Sequence, residues 1–279
     1  MSNLKIIKNI VFSSGALGGI AFIGVIKALE EHRQIYKIQG ISGCSIGSVI
    51  ALLFSIGYNS DELTDIALQF KHKKYMDIQV LGFLEHCGLD TGKKIIKYLS
   101  RLIEYKTGLK DLTFEQHWNI TGRVLWINSS CIDTNLPDYY SVKTSPKMSV
   151  LRAVRRSITV PFLFTSEIEN GIRYIDGGYH DSVPASMFPV KGTVCFIVRN
   201  NAYGDINGTD IHGGAFFSFC MKLLMGMHTS LNVYRKEGLK TKYNVVEIFT
   251  GVQSLSVNLK RQEKKRLILT GYNVLKNML

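Results

Sequence analysis

The sequence predicts an α/β fold built on a mainly parallel central sheet, and three observations predict it. Residues 7–57 alternate a β-type apolar run with a helix-period run twice over, the pattern of strands joined by crossover helices. Both strands run into turns of small residues, Ser13 to Gly19 and Ser42 to Ser45. Further along, Val194 to Val198 is a continuous apolar run bounded by Gly192 and Asn200, as expected of a strand buried on both faces.

The elements follow in order. A strand over 7–13 leads through the glycine loop into a helix over 19–32, with Lys27, Glu30 and Glu31 on its wet face. A second strand, Lys37 to Ile41, enters Ser42-Gly43-Cys44-Ser45, and a helix leaves from Ile46 and stops near Gly57. Residues 60–72 and 91–105 read as amphipathic helices, the second with Asp90 or Thr91 as its cap. Strands are expected at 123–131 and 138–142, paired as a hairpin. Ser149 caps a helix through Arg156, which must end before Pro161. A strand over 172–175 leads into Asp176, and a long apolar helix at about 213–230, a strand at 244–249 and a basic helix at 259–277 close the series.

Composition bounds the class. The 279 residues are 46% hydrophobic and 20% charged, which argues for a packed globular chain rather than a disordered one. No repeat and no Pro- or Ser-rich linker divides it, so a single domain over 1–279 is expected, with its motifs between about 7 and 190. The 34 basic against 22 acidic side chains leave a formal charge of +12, which favours anionic partners. The basic residues are not interleaved with aromatics in a nucleic-acid motif, so peripheral contact with an anionic membrane is expected rather than nucleic-acid binding. Five cysteines without close pairs form neither a disulfide framework nor a zinc pattern, which fits a reducing, cytoplasmic setting. Neither a metal nor a cofactor is expected.

Residues 9–26 carry no charged side chain and superficially resemble a membrane anchor. Asn9, Ser13, Ser14 and four glycines weaken the hydropathy, and no small-residue cleavage site follows. Strand, loop and helix is the better reading, without a signal peptide or a transmembrane helix.

The chemistry centres on Gly43-Cys44-Ser45-Ile46-Gly47. A G-x-S-x-G run gains meaning only where a strand enters and a helix leaves, as here. Gly43 and Gly47 permit the tight turn that lifts the Ser45 hydroxyl above the sheet edge, and the helix N-terminus beyond it favours developing negative charge. Cys44 is expected to pack beneath the turn. The loop at Ser13 to Gly19 offers backbone N–H groups, with Gly15, Ala16 and Leu17 the candidates to hold an oxyanion. It lacks the Lys-Ser/Thr ending of a phosphate loop and the three-glycine spacing of a dinucleotide site. A Ser–Asp–His triad using His212 or His228 is the rival arrangement. That fold places several strands before its nucleophile, whereas Ser45 follows only two.

Four blocks in fixed order resemble the patatin-like phospholipase family. They are Phe12 to Glu31, Gly43 to Gly47, Ser157-Ile158-Thr159-Val160-Pro161, and Asp176-Gly177-Gly178 followed by Val183-Pro184. The resemblance implies a three-layer α/β sandwich and hydrolysis of phospholipid or lysophospholipid acyl esters by a Ser–Asp dyad without histidine. On it, Ser45 is the nucleophile, Asp176 the proton acceptor and the Gly15–Gly19 region the oxyanion hole, while Gly177 and Gly178 give the backbone room beside the nucleophile turn. Ser14 and Ala16 stand where the family carries glycines, Gly18 where it carries a basic residue, and Asp181-Ser182 where it carries asparagine. His180, four residues after Asp176, is a further group near the dyad. The alternative reading is a catalytically impaired binding protein on the same fold.

Overall fold

The computed structural model describes residues 6–79, 83–201, 235–253 and 259–279. The apolar helix expected at 213–230, with His228, and the neighbouring His212 lie outside the described residues.

The central sheet has the order β10-β9-β1-β2-β4-β8-β7, with β5 also on β4. Here β1 is Asn9–Phe12, β2 Gly40–Gly43, β4 Val124–Cys131, β5 Leu136–Tyr140, β7 Glu167–Glu169, β8 Ile172–Asp176, β9 Thr193–Asn201 and β10 Asn244–Gln253. The run from β10 to β4 is parallel, while β5, β7 and β8 join it antiparallel. The fold is therefore α/β on a mostly parallel sheet. A small second sheet pairs β3 (Gly88–Asp90) with β6 (Phe162–Phe164).

The expected helices form as α1 (Ala21–Glu31), α2 (Ile46–Ser55), α3 (Ser60–Gln69), α4 (Lys93–Thr107), α6 (Val150–Ser157) and α7 (Arg261–Lys276). An unexpected α5 spans Phe114–Thr121, opened by Thr113, whose hydroxyl accepts Gln116 N–H while the Gln116 side chain accepts Thr113 N–H. Ser149 caps α6 as expected, accepting from Arg152 N–H. The cap of α4 departs from expectation. Gly92 occupies that position, and the two predicted side chains act from just outside: Asp90 accepts Gly92 N–H at 2.8 Å, and Thr91 accepts Lys93 N–H at 3.3 Å.

Alternation along the strands divides the interior. Ile10 and Phe12 of β1, with Val194, Phe196 and Val198 of β9, face the helices α1 and α2. Val11, Cys195, Ile197 and Trp126 face the other way, under Val183, Ala185 and Phe188. Burial on both faces explains why these strands read as unbroken apolar runs. On the first face α1 and α7 touch at glycines: a methyl group on Gly24 would overlap the Ile268 carbonyl, and one on Gly271 the Ala21 carbonyl.

Register around β4 sets up the site. Ile127 pairs with Gly43 on one edge and Tyr140 on the other, while Ser129 pairs with both Asp138 and Asp176. Because β5 holds one edge from Ile127 to Cys131, overlapping both partners, β2 and β8 share the opposite edge and approach end to end. Their facing ends carry Ser45 and Asp176.

Candidate active site

The turn after β2 is tight and strained. Ser45 has φ 54° and ψ −124°, a backbone state that costs a non-glycine residue about 1–3 kcal/mol. Surrounding bonds hold it there: Cys44 N–H donates to Phe12 O, Gly47 N–H to Cys44 O, and both Ser48 N–H and its hydroxyl to Ser45 O. Both flanking glycines are required by space. A methyl group on Gly43 would overlap the Gly47 carbonyl, and one on Gly47 the Phe12 carbonyl.

The Ser45 hydroxyl donates to Asp176 Oδ2 at 2.5 Å. Both residues are buried, 8% and 7% exposed, so this hydrogen bond is largely shielded from water. Asp176 Oδ1 accepts Gly178 N–H at 2.7 Å. Burial pushes the Asp176 carboxyl up from 3.8 to about 6, against the opposing pull of those two donors. A carboxylate of that strength is ionised at neutral pH yet basic enough to accept a hydroxyl proton.

A third segment, from the last residue of α6 to Thr159, grips both residues. Ser157 Oγ accepts Ser45 N–H at 2.9 Å, and Thr159 O accepts Asp176 N–H at 2.7 Å. The Arg155 guanidinium fixes Thr159 in turn, donating to its Oγ1 at 2.5 Å.

The glycine loop lies against the nucleophile turn, where Gly19 leaves no room for a side chain beside Ile46. Ala16 takes φ 44°, so this alanine adopts the left-handed backbone that a glycine would favour. Asn200 Nδ2 donates to Gly15 O at 3.0 Å, and Thr250 Oγ1 donates to Asn200 Oδ1 at 2.7 Å, tying the loop to β9 and β10. Ser14 N–H is taken by Ser182 O. Among the described residues the N–H groups of Gly15, Ala16 and Leu17 meet no acceptor, as expected at the open start of the short turn Ala16–Ile20.

Other sequence candidates fall elsewhere. Gly177 makes room for Asn128, and Gly178 for Ser14 and for Asp176 itself. His180 Nε2 pairs with Asn135 Oδ1 at 3.0 Å, away from the dyad. Cys44 is fully buried beneath the turn, and burial, with Asp176 and Asp181 nearby, pushes its thiol well up, so it is inert. Nothing in the sequence alone marks Ser157, Thr159 or Asn200 as a support for the site. The nearest signal is that the first two lie inside the third sequence block, before Pro161.

Residues 10–189 match the family model for Patatin-like phospholipase. The chain belongs to the patatin-like phospholipase family. It is 26% identical to an uncharacterised protein of Acanthamoeba polyphaga mimivirus, across 98% of this chain and 94% of that one. It is 29% identical to a probable lipid hydrolase of Invertebrate iridescent virus 6, across 66% of this chain and 63% of that one. A lysophospholipase of Meyerozyma guilliermondii is 26% identical across 66% of this chain, which spans only 12% of that protein. Two solved structures share the fold: VipD from Legionella pneumophila (TM-score 0.61, 16% identity, 97% of this chain, 66% of that one) and the type III effector ExoU of Pseudomonas aeruginosa (TM-score 0.55, 14% identity, 98% and 52%). Among the described residues of this patatin-like chain, no helix is long and apolar enough to cross a membrane, and no cluster of three or more His, Cys, Asp or Glu suits a metal ion.

Proposed function

We propose that the chain hydrolyses acyl esters of phospholipid or lysophospholipid through an acyl-Ser45 intermediate, with Asp176 as the proton acceptor. The observation that carries this reading is the 2.5 Å hydrogen bond from Ser45 Oγ to Asp176 Oδ2 between two buried side chains. Family membership supports lipid hydrolysis.

In this mechanism Ser45 Oγ attacks the ester carbonyl carbon as its proton passes to Asp176 Oδ2. The carbonyl oxygen becomes an oxyanion and turns toward the N–H groups of Gly15, Ala16 and Leu17, beside the N-terminus of α2. Ser45 N–H is already bound to Ser157 Oγ and does not contribute. Collapse expels the lysolipid or glycerol alkoxide, which takes the proton from Asp176. Water then enters and attacks the acyl carbon as it gives a proton to the same carboxylate; collapse breaks the bond to Ser45 Oγ, which takes that proton back from Asp176 as the fatty acid leaves. One carboxylate thus serves both half-reactions without an imidazole.

The test is hydrolysis of a short-chain p-nitrophenyl ester and of mixed phospholipid micelles, with EDTA present, by wild type, Ser45→Ala and Asp176→Ala. A fluorophosphonate probe followed by peptide mapping locates the nucleophile. The reading requires labelling at Ser45 and loss of turnover in both variants. Retained turnover in Ser45→Ala sinks it, and vesicle binding without turnover or labelling in wild type favours the binding-protein alternative.

A further inference from the structure

The positive charge of this molecule is concentrated at one end. The segments 70–78, 93–98 and 260–265 hold ten lysine or arginine side chains against two carboxylates, Asp77 and Glu263, and so account for most of the net charge of +12. The last of them is remote in sequence from the first two, and specific contacts bring all three together.

Phe70, at the end of α3, stacks on Tyr75 with ring centroids 4.8 Å apart, and Tyr75 meets Tyr98 of α4 at 4.5 Å. Lys264, near the start of α7, is buried and donates its ammonium to the carbonyls of Ala67 and Phe70. The other cations stay outside. Lys71, Lys73 and Lys74 are exposed on the segment after α3, and Lys93, Lys94 and Lys97 on the first turns of α4. Lys260, Arg261 and Lys265 are exposed around the start of α7. Lys94 reaches Asp77 at 3.6 Å, whereas Lys71, Lys73, Lys93, Lys97 and Lys265 make no ion pair among the described residues.

Topology places this face at the same end as Ser45. The turn carrying Ser45 follows the carboxyl end of β2, and α1 starts beside it and runs away, through eleven residues and thus about 16 Å. At the far end of α1, Glu30 accepts from Ser60 at the start of α3, and Glu62 pairs with Lys106 near the end of α4. The end of α3 and the start of α4 therefore point back toward the nucleophile end. α7 follows β10, whose carboxyl end lies on that edge too because β10, β9 and β1 run parallel.

We propose that this cationic face docks the protein on an anionic membrane surface, setting Ser45 against the bilayer that holds its substrate. The consequence for catalysis rests on the acyl-hydrolase reading; the docking does not. Charge complementarity commits the occupant, since clustered ammonium groups near an anionic leaflet each add to binding and are screened by salt. Met76 and the half-exposed Ile78 add apolar contact beside the lysines. A nucleic acid fits less well, because Phe70, Tyr75 and Tyr98 pack against one another rather than offering free faces to bases.

The test measures cosedimentation of the Ser45→Ala protein with phosphatidylcholine vesicles, with and without phosphatidylserine, at low and high salt. Binding should need phosphatidylserine and weaken with salt. Lys71→Gln/Lys73→Gln/Lys74→Gln should lower vesicle affinity about tenfold to 100-fold. The control is Lys8→Gln/Lys143→Gln/Lys191→Gln, whose lysines line a cleft at the opposite, amino ends of β1 and β2 and which should bind vesicles as before. With Ser45 restored, both triple variants should turn over a soluble ester at the unsubstituted rate. Equal loss in the two triples, no preference for anionic vesicles, or binding to single-stranded RNA in place of vesicles would each overturn the proposal. Vesicle binding by a protein that fails to cleave any soluble ester would instead remove the hydrolase reading and leave the docking intact.

Discussion

Ser157 Oγ accepts the backbone N–H of Ser45 at 2.9 Å, across 112 residues of sequence, at a position where both are buried. The bond fixes the left-handed backbone of the nucleophile turn, so it holds Ser45 in the orientation that lets its hydroxyl reach Asp176. Two residues on, Thr159 O holds Asp176 N–H, and one short segment thereby sets the relative position of the dyad.

Removing that acceptor should damage catalysis more than folding. Ser157→Ala orphans a buried N–H, which costs about 1–3 kcal/mol of stability. We expect kcat on a soluble ester to fall about tenfold or more with KM little changed, the pattern for misplacement of a reacting group. Ser157→Thr, which keeps the hydroxyl, should recover much of the rate. Steady-state kinetics of the two variants decide the matter.

The raised carboxyl of Asp176 makes two pH predictions. As the proposed proton acceptor it must be ionised, so kcat/KM should rise with pH through about 6 and fall away on the acid side. For stability the sign is opposite. The folded pKa lies above the unfolded value, so the folded state holds the proton more tightly, and stability from this group is fully present below about 3.8 and is lost as pH rises through about 6. Asp176→Asn should therefore be inactive yet gain about 2–3 kcal/mol over wild type at neutral pH, with the gain vanishing near pH 4. Urea unfolding at several pH values reads this directly.

Asn200 bridges Thr250 and the Gly15 carbonyl, so it fixes the loop proposed to hold the oxyanion. Asn200→Ala should leave the Ser45–Asp176 hydrogen bond in place but loosen the donors. The expected result is a drop in kcat of about tenfold to 100-fold, below the cost of deleting a donor outright. Fluorophosphonate labelling should slow in parallel, whereas the pH dependence of kcat/KM should keep its midpoint.

The crossing of α1 and α7 offers a purely structural check. Any side chain at Gly24 or Gly271 meets a carbonyl of the partner helix. Gly24→Ala should destabilise by about 1–3 kcal/mol through overpacking, despite the better helix propensity of alanine. A thermal melt that rose instead would show that the helices pass further apart than described.

Much of this architecture could be read from residue order. Strand, glycine turn and helix recur twice before Gly57, and local chemistry alone dictates them: apolar runs, small residues where the chain must turn, and helix periodicity after the turn. For the same reason Ser45 stood out as a residue on a turn, and Asp176 at a strand end. Helix α5 is legible too, since Thr113 and Gln116 stand at the spacing of a reciprocal cap. Strands β3, β6 and β7, each three residues long, are too short to carry a period and form only because their partners are already in place.

What the tertiary structure decided is everything that depends on β4. Its two edges bring β2 and β8 end to end, and so set a hydroxyl and a carboxylate 131 residues apart within 2.5 Å of each other. No local propensity encodes that distance, because it follows from hydrogen-bond register between strands remote in sequence. Burial is likewise a property of the assembled layers, and it is burial that makes Asp176 a stronger base than its residue type alone would be. The roles of Ser157, Thr159 and Asn200 arise in the same way. Each is an ordinary polar residue in the sequence and becomes a fixed support only when packing leaves it one partner within reach.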